Sequence, residues 1–159
     1  MANFTARGMD AYISQLNAIY TDVTPIINHA VYEGAKIIAD EVTDMIRGIP
    51  DARMQSNGLV WGISKSQKKG LLEGFGISHL IVDDYNLRYV RLGFAGYNDT
   101  ATDKYRRGQP NAMIARSVIS GTSFREKNDF MAHALRYVRQ RANKTIEDVF
   151  EIELTRLIK

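Results

Sequence analysis

Apolar residues in the first third of the chain recur at spacings of three and four, the signature of helices that bury one side. Met9, Tyr12, Ile13, Leu16 and Ile19 mark a short amphipathic helix from Gly8 to Tyr20. Thr24 then offers a cap and Pro25 a first helical position. From there Ile27, Ala30, Val31, Gly34, Ile37, Ile38, Val42, Met45 and Ile46 carry one stripe through about six turns. Glycine ends helices readily and proline constrains the residue before it, so this helix is expected to stop near Gly48-Ile49-Pro50.

The period is lost from Asp51 to Lys69, a run rich in Gly, Ser, Asn, Gln and Lys around the single Trp61. This reads as a long mobile loop, with a short helical turn between Ser64 and Gly74. Two strands follow, Ile77 to Val82 and Leu87 to Phe94, joined by the turn-forming Asp83-Asp84-Tyr85-Asn86 into an antiparallel hairpin. After an irregular connection to Gln109, Pro110-Asn111 opens a helix with Met113, Ile114, Val118 and Ile119 on its apolar side, ending at Gly121. Asn128 or Asp129 caps the last segment, where Phe130, Ala134, Val138, Ala142, Ile146, Val149 and Phe150 define one long C-terminal helix or two abutting ones. The expected fold is α+β: long N-terminal and C-terminal helices on a small, mainly antiparallel sheet, in a single domain over residues 1–159.

Composition adds little until the charges are located. The net charge is only +3, yet Lys104 to Lys144 holds ten basic residues against Glu126 and Asp129, so this segment carries +8 and the remainder −5. Such asymmetry steers partners or polyanions. The chain has no cysteine, which excludes disulfides, thiolate metal ligands and cysteine nucleophiles and suits assembly in a reducing cytoplasm. No run approaches the ~20 apolar residues of a membrane span, and Met1 to Thr5 lacks the features of a signal peptide.

Catalytic chemistry needs an acid, base, nucleophile and oxyanion set that converges, and no motif here supplies one. His29, His79 and His133 each stand without a second ligand at i+3 or i+4 and read as structural. Asp40, Glu41 and Asp44 read as surface carboxylates beside the helical stripe. Gly70 to Gly76 precedes a strand, where a nucleotide loop must follow one and open a helix, and it lacks a Gly-Lys-Ser/Thr ending. No enzyme activity, cofactor or metal is expected. Contact is the remaining chemistry: the loop residues Arg53, Trp61, Lys65, Lys68 and Lys69 for a protein partner, and a basic surface of Arg106, Arg107, Arg116, Arg136, Arg139 and Arg141. Tyr105-Arg106-Arg107 and Arg136 to Arg141 interleave aromatics with arginine, which also suits phosphate contact by a general nucleic-acid-binding protein.

A series of landmarks carries a resemblance. Gly93-Phe94-Ala95-Gly96-Tyr97-Asn98, Gly108-Gln109-Pro110-Asn111 with Ile114-Ala115-Arg116-Ser117, Gly121-Thr122-Ser123 and Phe130-Met131-Ala132-His133-Ala134 follow one another in order. With Gly8 to Tyr12 and Ala30 to Lys36, they resemble the tail-completion, or head–tail joining (neck), morphogenesis family of long-tailed bacteriophages. Relatives often carry proline where this chain has Asp129, and a capping carboxylate starts a helix equally well. The resemblance implies a phage or prophage structural subunit at the head-proximal end of the tail, forming homo-oligomeric rings between the head connector and the tail-tube proteins. It places the chain in the virion at the head–tail junction, and in the bacterial cytoplasm during assembly. DNA is then passing cargo at most, and no membrane is involved.

Overall fold

The computed structural model describes residues 9–158; Met1 to Gly8, which include the first residue of the first predicted helix, and Lys159 lie outside them. The element order is α1 (Met9–Gly48), β1 (Arg53–Met54), β2 (Val60–Trp61), α2 (Lys65–Gly74), β3 (Phe75–Ile77), β4 (Ile81–Val82), β5 (Arg88–Tyr89), β6 (Leu92–Phe94), α3 (Asn111–Ser120) and α4 (Phe130–Ile158). It is the expected α+β arrangement, with long helices at both ends of the chain.

The two N-terminal helices read from the sequence are one. α1 runs for 40 residues with Pro25 inside it, so Pro25 does not open a helix and Thr24 does not cap one. Proline removes a single backbone donor, and the hydroxyls of Thr21 and Thr24 instead donate back to the carbonyls of Asn17 (2.8 Å) and Tyr20 (2.9 Å). The helix ends at Gly48, as its glycine and the following Pro50 require.

α4 lies antiparallel along α1. Glu41 faces Arg141 at 4.0 Å, while His29 Nδ1 meets Glu153 Oε1 at 2.7 Å, so rising numbers on one helix meet falling numbers on the other. Small residues set the spacing: Ala30, Ala35 and Ala142 are buried, and a Cβ on Gly34 would collide with the Ile146 side chain. Asp129 caps α4 by accepting from the Ala132 amide at 3.3 Å.

The core gathers at the Gly48 end. Val42, Ile46 and Ile49 meet Ile63, Leu71 of α2, Ile114, Ala115 and Val118 of α3, and Phe130 and Ala134 of α4. Phe94 packs on Phe75 at 5.0 Å between ring centres and edge-on to Phe130 at 6.2 Å, which ties β3 and β6 to this cluster.

The strands form three two-stranded antiparallel pairs, β1–β2, β3–β6 and β4–β5. The predicted hairpin is present, but its register shifts: Ile77 opposes Leu92, whereas Ile81 opposes Tyr89. Four steps on one strand therefore match three on the other. That is a bulge, held where Ser78 N donates to Arg91 O (2.8 Å) and Arg91 N to Ser78 Oγ (2.9 Å).

The segment expected as a mobile loop is largely built. Arg53 and Met54 pair with Trp61 and Val60, and α2 begins at Lys65. A capping box starts α2: Ser64 Oγ accepts from Gln67 N (3.2 Å) and Gln67 Oε1 from Ser64 N (3.3 Å). The hairpin is held from outside as well, by Val60 N donating to Phe124 O (2.8 Å) and Glu126 N to Val60 O (3.0 Å). No helix among the described residues is long and apolar enough to cross a membrane.

Candidate functional site

The connection expected as irregular, between β6 and α3, closes into a loop with a narrow neck. Tyr97 bridges Pro110, and Asn98 N donates to Gln109 O at 3.0 Å. The Asn98 side chain, 3% exposed, clamps the neck, its Oδ1 accepting from Thr100 N (2.9 Å) and Gln109 N (3.2 Å). Inside, Thr102 and Tyr105 exchange backbone hydrogen bonds of 3.1 and 3.0 Å. Gly108 has φ 102°, and a side chain there would strike the Asn98 carbonyl, so only glycine closes this turn. The loop docks on α2 through Thr100 with Ser66 (3.2 Å) and Lys69 with Asp99 (3.7 Å).

This is an Ω-loop, a form that is often functional. It borders an open groove of about 660 Å³ lined by Tyr97, Asp103, Lys104, Tyr105, Arg106 and Arg107. Tyr97 is 67% exposed, and Lys104 Nζ stands 5.6 Å from the Tyr105 ring centre. Among the described residues, Lys104, Arg106 and Arg107 make no ion pair within 4 Å. Three cations stand against one aspartate on a backbone held by its own hydrogen bonds, which makes this surface electropositive.

The other expected contact residues separate. Arg53, exposed, and Trp61, half-buried, face each other on β1 and β2. Lys65 is exposed at the start of α2. Lys68 pairs with Asp51 (3.7 Å) and reaches the carbonyl of Arg47 (3.5 Å), and Lys69 pairs with Glu73 (3.9 Å) as well as Asp99, so both are tied to the fold. Of the basic set, Arg106 and Arg107 lie on the groove, Arg116 is exposed on α3, and Arg136, Arg139 and Arg141 are exposed on α4. Arg139 and Arg141 point about 200° apart around their helix, so the α4 arginines form no single stripe. Arg125, counted in the basic segment, is buried at 8% exposure and donates to Gln67 Oε1 at 3.0 Å. Desolvation lowers its pKa, and its charge does not serve the outer surface.

A second surface escaped the sequence reading. The turn between β4 and β5 is built on Asp83, whose Oδ1 accepts from Tyr85 N (2.9 Å) and Leu87 N (2.8 Å). Asn86 follows with φ 62°. The turn is pinned to α1 because the Tyr20 hydroxyl accepts from Asn86 Nδ2 and from Arg88 Nη2 (3.3 Å). Those two bonds, Asn86 first, lower the Tyr20 pKa. Here Tyr85 is 88% exposed, Leu87 63%, Ile19 58%, Tyr20 52% and Val82 47%. Alternation along the strands does not reveal this patch, because it arises where a turn meets a distant helix.

The histidines are surface residues. His29 lies between Glu153 and Glu33 (3.8 Å) and links the two long helices, while His79 and His133 are exposed. Among the described residues, no group of three or more His, Asp or Glu is placed to hold a metal ion.

Fold and surfaces together define an α+β protein with two distinct exposed surfaces, a basic groove and an apolar turn. Comparison with protein families, with curated proteins and with solved structures finds no match for this chain.

Proposed function

We propose that the chain is a structural assembly subunit that works by surface contact, and that it is the head–tail joining or tail-completion component of a long-tailed phage or prophage. The observation that carries the assembly reading is the exposed apolar surface at ordered positions: Tyr85 and Leu87 at one site and Tyr97 at another. Monomeric proteins keep such patches small, and large exposed ones mark interaction sites. The phage assignment rests on the ordered landmarks from Gly93 to Ala134, several of which occupy structurally demanding places. Asn98 and Gly108 close the Ω-loop, and Asn111 binds Ala95 O at 2.8 Å. In this reading the subunit forms homo-oligomeric rings and meets connector and tail-tube proteins without making or breaking covalent bonds.

Electron microscopy of particles from a phage lacking the gene is expected to show separate heads and tails. Normal infectious particles would overturn the assignment.

The groove favours one second reading, a general nucleic-acid binder contacting phosphates through Lys104, Arg106 and Arg107. It predicts duplex DNA binding that weakens steeply with salt, and unchanged gel mobility at low salt dismisses it.

A further inference from the structure

We propose that the β4–β5 turn of one copy seats in the Ω-loop groove of the next, joining copies head to tail. This rests on the reading of the chain as a self-assembling subunit and names the two surfaces that meet.

Distance makes the contact intermolecular. The turn is fixed to α1 at Tyr20, whereas the Ω-loop sits on α2, whose Lys68 reaches the carbonyl of Arg47. Tyr20 and Arg47 lie about 40 Å apart along α1 at ~1.5 Å per residue, so a turn cannot reach its own groove. Because two different surfaces meet, the contact is heterologous and propagates into a ring, or into a filament if the rotation does not close.

Chemistry makes the surfaces complementary. The turn carries exposed Tyr85 and Leu87 beside exposed Asp84, with exposed Asp22 one helical turn from Ile19. Its neighbouring cation, Arg88, is turned onto the neutral Tyr20 hydroxyl and Asn86 side-chain oxygen, and the carboxylates of Asp83, Asp84 and Asp22 outnumber it. The groove is concave, about 660 Å³, and offers Tyr97 and Tyr105 among Lys104, Arg106 and Arg107. Acidic thus meets basic, and aromatic meets aromatic. Both backbones are held by internal hydrogen bonds, so little ordering cost remains for binding, and a rigid exposed tyrosine is a typical anchor. A nucleic acid would account for the groove alone and leave the apolar turn without a role.

The test is self-association of the full chain by sedimentation velocity over a range of concentrations. Asp84→Lys, Tyr85→Ser and the pair Arg106→Glu with Arg107→Glu are each expected to weaken association about tenfold or more. Combining Asp84→Lys with the two arginine reversals is expected to recover much of it. The chain has no native cysteine, so oxidised mixtures of Leu87→Cys and Asp103→Cys chains, which keep the aromatic and cationic partners, are expected to give a cross-linked heterodimer. If wild type associates and every variant associates equally, this contact is wrong while the assembly reading stands. Groove variants that lose duplex DNA binding yet associate normally also overturn it, in favour of a polyanion in the groove. Wild type that stays monomeric at every concentration and adds no ring to purified tails removes both the contact and the reading beneath it.

Discussion

α1 and α4 are held together by different physics at their two ends. Near Gly48 the pair is one wall of a core in which Val42, Ile46, Ile63 and Leu71 are 0% exposed and α2 and α3 close the other sides. Towards Tyr20 it is a seam of Ile26, Ala30, Gly34, Ala35 and Ala142, edged by the His29–Glu153 contact, and α2 and α3 have been left behind. Burial per residue is therefore concentrated at one end, and the apolar turn is carried at the other, on the less protected part of the rod. A surface used for assembly gains from this separation, because it can vary or adjust without disturbing the core.

Leu71→Ala should show the largest effect, about 2–5 kcal/mol of lost stability in denaturant unfolding, since it combines lost burial with a cavity among packed neighbours. A loss below about 1 kcal/mol would erase the distinction between core and seam. Gly34→Val should cost less, about 1–3 kcal/mol, because the added side chain meets Ile146, which can move in part. Hydrogen exchange sharpens the contrast: this variant should lose protection first near Ile26 to Ala35, with the amides around Ile46 affected last.

Glu153→Gln removes the carboxylate that faces His29 at an exposed edge, and a double-mutant cycle with His29→Ala should give a coupling of about 0.2–1 kcal/mol. Tyr20→Phe should act mainly through pH. Asn86 and Arg88 lower the Tyr20 pKa, so folding favours its phenolate. That contribution is present above the ordinary tyrosine value of 10.0 and is lost as pH falls through the lowered one. Ultraviolet titration should show the variant lose a tyrosine step that lies below the ordinary value, and an unchanged curve would detach the turn from α1.

Much of the helical layout was legible before any coordinates. The stop at Gly48, the span from Asn111 to Ser120 and the cap at Asp129 follow from glycine, proline and capping chemistry, all of which act within a few residues. The turn after Val82 was legible for the same reason. Continuity through Pro25 was not, because a lost backbone donor is a local penalty, whereas packing along α4 acts across the chain and favours an unbroken rod. The β1–β2 pair was missed because two-residue strands have no period to detect, and their support comes from Phe124 and Glu126, far along the sequence. The exposed cations were half legible: Arg106 and Arg107 stood out by charge and line the groove, while Lys68 and Lys69 are engaged by Asp51, Glu73 and Asp99.

What the amino-acid order fixed was therefore where helices begin and end, which of their sides are apolar, and how charge is divided along the chain. Those properties depend on neighbours three or four residues away and on composition. Which cations stay free, that Arg125 turns inward, that Asn98 clamps a loop, and that Tyr85 stands out beside Tyr20 were settled only when distant segments met. Exposure and pairing belong to the packed molecule, because each depends on a partner that the local sequence does not contain.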